Sequence, residues 1–444
     1  MTAIRSNRLL WALIPVLAAL AVLATLALMR SERPSDQRVE LPFDFRQTAG
    51  TSTDTLIGSL QEKIREHPKD FDSHINLANA YLQKVRETGD PTLYTKTEDL
   101  LGEAQKLDDH SPELFATKGR LALARHDFAA ALQNGTRALA LDPESASYHG
   151  IVGDAQIELG MYDEAINSYQ EMVDRRPDFD SFSRVAYARE LYGDPEGAIE
   201  AMEFALQAGS GTPENVAWAH VQLGNLWFTL GKLEEAQKAY GLSTRTVGAY
   251  APALAGQAKI AAARGDLEQA ATFYRQAFNR MPLPEYAIAL GDVYAVMGEK
   301  VKAEEQYDLV RSMDKLLRAN GVDTDLEIAL FNADHDIDLQ RSLEKARAAY
   351  DARPSIHAAD TMAWTLYKTG NYKEAQEYSS EALKLGTRDP LKLFHAGMIS
   401  RALGDKEQAH AYLQQAIDLN PHFSLLYADE AADSLKTSKA GGED

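Results

Sequence analysis

The sequence has 444 residues, 45% hydrophobic and 25% charged, the composition of a folded protein rather than a disordered one. Its 66 acidic and 46 basic side chains leave a net charge of −20, which disfavours nucleic-acid phosphates and anionic lipid surfaces as partners. There is no cysteine, which excludes disulfides, thiolate zinc sites, iron–sulfur clusters, thiol nucleophiles and a lipidated-cysteine anchor.

Residues 1–8 read as a short cytoplasmic N-terminus carrying Arg5 and Arg8. Leu9 to Met29 is a run of 21 residues without a charge, long enough to cross a bilayer core as a helix. Trp11 near its start suits the interface, and Pro15 is tolerated in such a helix. A cleaved signal peptide is the rival. Its apolar region is usually ~7–15 residues and ends in a small-x-small site, whereas Ala19-Leu20-Ala21 lies in mid-run with apolar sequence behind it. Residues 9–29 are therefore expected to be an uncleaved signal-anchor. Arginines flank the run on both sides, so orientation rests on the short basic N-terminus facing the cytoplasm. The expected location is the inner (cytoplasmic) membrane, single-pass, with the bulk of the chain extracytoplasmic or periplasmic. Residues 30–53 lack helical periodicity and read as a linker. Its apolar island, Val39 to Phe45, either packs back on the first repeat or serves as a docking strand.

From 54 to 423 one pattern recurs. Small residues fall at Ala78, Gly119, Gly153, Ala186, Gly224, Ala258, Gly291, Ala363 and Gly397. A second series is Ala131, Ala165, Ala198, Ala236, Ala270, Ala303, Ala375 and Ala409. From the first shared repeat the steps in both series are 34, 33, 38, 34, 33, 72 and 34 residues. A fixed period of that length, divided into two helix-sized halves, is the signature of stacked helix pairs. Asp54 to His67, stopped by Pro68, reads as a lone second half-repeat that opens the stack. The excess between Ala78 and Gly119 is assigned to Arg86–Thr95, where Gly89-Asp90-Pro91 forces a turn. The 72-residue step holds a degenerate repeat, about 311–354. Residues 424–444 read as a capping helix on Leu425, Ala428, Ala432 and Leu435, followed by a disordered tail.

Leu223-Gly224 with Trp227, Ala236 and Tyr240, and Leu290-Gly291 with Tyr294, Ala303 and Tyr307, resemble the tetratricopeptide repeat pattern W-x2-L-G-x2-Y…A-x3-F…P. Pro143, Pro177, Pro282 and Pro421 supply its terminal proline. The resemblance, to a bacterial membrane-anchored member, implies an all-α solenoid: a right-handed superhelix of about ten helix pairs, here behind one transmembrane helix. It also implies a concave groove lined by the second, fifth, ninth and twelfth positions of each repeat. Carried across residue by residue, those positions give Arg120, Asp154, Tyr187, Trp218, Asn225, Phe228, Lys259, Asp292, His357, Asp360, Trp364 and Tyr367. The carboxylate clamp of some members is not met, because Asn225 is preceded by Val221 where a lysine is expected.

Phosphate-loop, HExxH and GxSxG motifs are absent from the sequence. No catalytic residue, cofactor or metal ligand is assigned, and the chain is expected not to be an enzyme. Asp334-His335-Asp336-Ile337-Asp338 has alternating acids but breaks the EF-hand rule at Leu339 and Lys345. The expected function is a membrane-tethered extracytoplasmic scaffold that binds a protein or peptide in its groove and supports an envelope assembly. The alternatives are an accessory or metal-dependent function centred on 332–367, or recognition of an exported polysaccharide.

Overall fold

The computed structural model describes residues 52–440, with side chains through Lys436. The chain divides into two units, Met1–Gln47 and Thr48–Asp444. The signal-anchor expected at 9–29 and almost all of the linker lie outside the described residues. Among the described residues no helix is long and apolar enough to cross a membrane. The expected inner-membrane, extracytoplasmic placement is thereby corrected and has no structural support. The physical reason is visible in the longest helix, Lys300–Ala319: it has 20 residues, yet Glu304, Asp308, Arg311 and Lys315 punctuate it. It buries one stripe, Ala303, Tyr307 and Val310, and leaves most of the rest to water.

The described residues form 22 helices and no strand. A single helix, α1 (Thr53–Glu66), opens the stack. Ten hairpin pairs follow: α2 (Phe71–Thr88) with α3 (Thr92–Leu107), α4 (Pro112–Ala124) with α5 (Phe128–Leu141), α6 (Ala146–Glu158) with α7 (Tyr162–Arg175), α8 (Phe179–Leu191) with α9 (Pro195–Ala208), and α10 (Pro213–Thr229) with α11 (Leu233–Thr246). The second five are α12 (Ala251–Ala263) with α13 (Leu267–Arg280), α14 (Pro284–Val296) with α15 (Lys300–Ala319), α16 (Asp325–Asp334) with α17 (Leu339–Ala352), α18 (Ile356–Lys368) with α19 (Tyr372–Ala382), and α20 (Pro390–Ala402) with α21 (Lys406–Leu419). A last helix, α22 (Ala428–Ala440), covers the end. It begins three residues after Leu425 and runs past Lys436, so the capping helix starts and ends later than the spacing predicts. The fold is an all-α helical solenoid.

Local chemistry fixes the helix ends. Asp127, Asp194, Asp266 and Asp405 cap the second helix of their pairs, each side chain accepting from a backbone N–H one turn in. Asp163-Glu164 and Glu234-Glu235 add negative charge to the first turn of α7 and α11. Between Ala78 and Gly119 the extra residues lengthen α2 and α3 around their turn rather than forming a loop.

Within each pair the small residues admit an aromatic ring. A Cβ at Gly224 or Gly256 would overlap the Tyr240 ring, one at Gly153 the Tyr169 ring, and one at Gly291 the Tyr307 ring. Ala131, Ala165, Ala198, Ala236 and Ala270 are fully buried on the opposing helices. In the degenerate repeat the same space is filled by Ala329 and Ala346, both fully buried. Close approach of this kind keeps packing dense across the helix crossing.

The pairs then return on themselves. The turn inside each of the first five pairs meets the loop that precedes or follows a pair five further on. Gly89 lies against Met281 and Leu283, Gly160 against the Pro354 carbonyl, Gly193 against the Gly386 carbonyl, and Gly231 against Leu419 and Asn420. The Asp323 N–H donates to the Arg125 carbonyl at 2.9 Å. Ile356 N–H donates to the Tyr162 hydroxyl at 2.7 Å, and the Asn420 amide donates to the Phe228 carbonyl at 2.8 Å. Arg388 reaches Glu196 at 2.8 Å. One edge of the first turn of the spiral thus rests on the opposite edge of the second.

Candidate functional site

The first helices of the pairs carry the predicted groove residues, and the spiral sorts them into three groups. Tyr187, Phe228, Lys259, Asp292 and His357 line one cavity of about 510 Å³. Arg120, Asp154, Trp218 and Asn225 are half-buried and do not line it. Asp360 and Trp364 are 6% and 2% exposed, so they are core residues and the expectation that they face an open groove is corrected. Tyr367 is half-buried and stacks on Trp364 with ring centroids 4.8 Å apart.

Those outside the cavity are occupied by their neighbours. Asp154 accepts from Arg184 at 2.7 and 2.8 Å and from the Tyr169 hydroxyl at 3.0 Å. Asn225 accepts from the Tyr240 hydroxyl at 2.9 Å. Trp218 packs edge-on against Phe179. Arg120 donates to the Asn79 amide oxygen at 3.5 Å, and desolvation lowers its pKa. Trp364 donates to Asp334 at 2.8 Å, stacks on His395 at 4.1 Å and meets Tyr427 edge-on. His395 is fully buried and pairs through Nδ1 with Asp360 at 3.1 Å.

The cavity has two walls. The first is built by α8 and α10 of the first turn and by α12 and α14 that follow them, which supply Tyr187, Glu190, Phe228, Lys259 and Asp292. On the second, α18 supplies His357, residues 387–391 the N-terminal approach to α20, and 420–429 the approach to α22. Tyr187 donates to Glu158 at 3.2 Å and lies 3.4 Å from His357 Nε2 across the seam. Asp292 accepts from Tyr307 at 2.9 Å and is 2.8 Å from His335 Nε2. Lys259 has no hydrogen-bond or ion-pair partner among the described residues, and its surroundings lower its pKa by desolvation, with the Glu285 carboxylate opposing.

Glu190 also has no side-chain hydrogen-bond or ion-pair partner among the described residues. Burial, and then the Asp389 carboxylate across the seam, pushes it up to about 7, while Lys392 acts the other way. Asp389 is held down at about 2, against its own burial, by Lys392, whose ammonium lies 2.6 Å away. Burial pushes His357 down to about 4. The site therefore combines aromatic surface, one free ammonium and a carboxyl poised between forms. Such a surface suits hydrogen-bonding and apolar contact with another chain.

The acidic stretch at 334–338 is consumed by the fold. Asp334 accepts from Trp364 and Tyr427, His335 bridges to Asp292 and the Phe331 carbonyl, and Asp336 pairs with Lys368 at 2.7 Å. The only grouping of His and acids close enough to share a cation, among the described residues, is the exposed Asp108, Asp109 and His110, none of which lines the cavity. The site residues that the sequence did not indicate are Glu190 and the two second-turn segments. The repeat period locates no position five pairs away.

Two family models, each described as Tetratricopeptide repeat, match the chain: one at 117–178, the other at 357–385 and 393–423. A curated relative, Protein CTR9 homolog of Arabidopsis thaliana, is 26% identical over 212 residues. That stretch is 45% of this chain and 19% of the relative, so the chain spans about a fifth of the relative's length. Among solved structures, yeast Tom70 covers 88% of this chain and 97% of its own at 12% identity and TM-score 0.39. PilW, a type IV pilus biogenesis factor, covers 47% and 97% at 14% identity and TM-score 0.39. The APC/C hetero-tetramer Cut9-Hcn1 covers 89% and 95% at 14% identity and TM-score 0.34.

Proposed function

We propose that this chain, a tetratricopeptide repeat protein, is a scaffold that takes a protein or peptide segment into the cavity between its two turns. Proteins built of these repeats generally serve as non-catalytic scaffolds for protein–protein interaction. The observation that carries the reading is the convergence of Tyr187, Phe228, Lys259, Asp292 and His357, from five separate helices, on one cavity. Aromatic faces beside an ammonium without a carboxylate partner favour an extended segment that brings both apolar and acidic groups.

The test is a pair of substitutions on the wall, Phe228→Ala and Lys259→Glu. Crosslinking in the native cells followed by mass spectrometry compares the variants with the natural chain. The expected outcome is at least a tenfold loss of one reproducible protein partner, with helical content by circular dichroism unchanged. A partner set identical in both variants would remove this cavity as the binding surface.

A further inference from the structure

Between α21 and α22 the chain runs without regular structure, and this segment forms part of the cavity wall. Asn420, Pro421, His422, Phe423, Ser424 and Leu425 all line it. Its ends are fixed. The Asn420 amide donates to the Phe228 carbonyl of the first turn, and Tyr427 donates to Asp334 and stacks on Phe394 at 4.9 Å. Between these anchors the side chains divide. Phe423 and Leu426 pack on the second-turn core around Phe394 and Leu413. Leu425 packs the other way, onto the buried cluster of α12, α13 and α14 that includes Leu254, Tyr274 and Leu290.

Leu425 thereby stands apart from the rest of that cluster, whose other members all come from residues 249–297. It remains half-exposed, and so do Phe423, Ser424 and Leu426. The segment is a mostly apolar turn of chain that sets Leu425 on the α12–α14 cluster, in the cavity that Lys259 and Ala289 also line. Its backbone bonds are local: Phe423 N–H donates to the Asn420 carbonyl, and the His422, Leu426 and Tyr427 N–H groups donate to the Asn420 and Ser424 side chains, so none of these bonds ties the segment to α12 or α14.

We propose that residues 421–426 are a self-ligand: an intramolecular strap that occupies the α12–α14 part of the cavity and must be displaced by the partner's own segment. The proposal rests on the scaffold reading above and adds its regulation. It also names the kind of segment the surface accepts, a short turned stretch with a leucine where Leu425 sits. A chain whose strap is in place binds weakly, because the competing segment is tethered and at high effective concentration. Any factor that lifts the strap raises the apparent affinity by the fraction of molecules opened.

The experiment uses the full chain and a fluorescent synthetic peptide with the sequence of residues 419–427. Fluorescence polarisation measures its binding to the natural chain, to Leu425→Asp and to the milder Leu425→Ala. The double variant Leu425→Asp/Ala289→Arg blocks the receiving surface. The expected result is binding at least tenfold tighter to the Leu425 variants than to the natural chain, abolished in the double variant. Leu425→Ala keeps the test valid if the aspartate variant melts early. Equal binding to the natural chain and the Leu425 variants, no binding to either Leu425 variant, or undiminished binding to the double variant would each overturn the strap. The crosslinking comparison of Phe228→Ala and Lys259→Glu does not depend on this outcome, so failure of the strap and failure of the scaffold reading are separable.

Discussion

Glu190 shows how one residue takes its chemistry from a segment far away in the chain. On its own helix it is an ordinary carboxylate near the C-terminal end of α8. Across the seam it faces Asp389 and Lys392 at the start of α20, with Tyr187 and His357 beside it, and its pKa is pushed up to about 7. A carboxyl whose folded pKa exceeds its unfolded one binds more protons when folded. Its contribution is therefore least unfavourable below the unfolded value, and stability falls as pH rises through the folded one. His357, pushed down to about 4, acts in the opposite sense: stability rises between about 4 and the ordinary histidine value. Glu190→Gln is expected to remove a falling contribution to melting temperature between about pH 4.5 and 7, so that the overlapping rise from His357 between about pH 4 and 6.5 shows undiminished. Melts at unit pH intervals check this, and an unaltered slope above pH 5 would contradict the assignment. Glu190 itself is not legible in the sequence, since nothing in the repeat period brings Asp389 near it.

At the scale of the element, α18 separates a positional rule from its physical consequence. The resemblance places His357, Asp360, Trp364 and Tyr367 on one face of this helix, and the structure does give them a shared side. What differs is what lies opposite. In the second turn that side meets Asp334 of α16, His395 of α20 and Tyr427 ahead of α22, so Trp364 is closed off from the groove. Trp364→Ala is expected to cost about 3–5 kcal/mol of stability, the range for deleting a fully packed large aromatic. Denaturant unfolding measures it. A cost below about 1 kcal/mol would return Trp364 to the list of exposed contacts. The helix pair hidden in the 72-residue step, α16 with α17, packs by the same logic as the others through Ala329 and Ala346. Irregular helix lengths, 20 residues in α15 before it and 10 in α16, hid it in the sequence, not a different packing.

At the scale of the whole described unit, the seam between turns is the feature that makes a two-walled cavity out of an open ribbon. Gly193 has φ +73°, where a side chain is strained, and any Cβ there would overlap the Gly386 carbonyl oxygen. Gly193→Val should therefore part the turns without disturbing the helices on either side. The expected outcome is a larger radius of gyration by small-angle scattering, unchanged far-UV circular dichroism and a lower melting temperature. An unchanged radius would mean that the seam tolerates the substitution by local adjustment. The exposed Arg388–Glu196 pair, by contrast, contributes little by itself, as surface ion pairs do.

The sequence by itself determined the helix pairs, because their signals are local. A small residue on one helix, an aromatic ring about half a period later and an aspartate at a helix start all act within a single repeat of about 34 residues. It also put Tyr187, Phe228, Lys259, Asp292 and His357 at repeat positions expected to face a groove, and these five line one cavity. Only the tertiary structure decided which concave residues remain available, as that depends on what the next turn of the spiral lays over them. The pitch of a superhelix is the sum of many small rotations between neighbouring pairs, and no single residue encodes it. The seam, the cavity and the strap at 421–426 arise from that accumulated geometry.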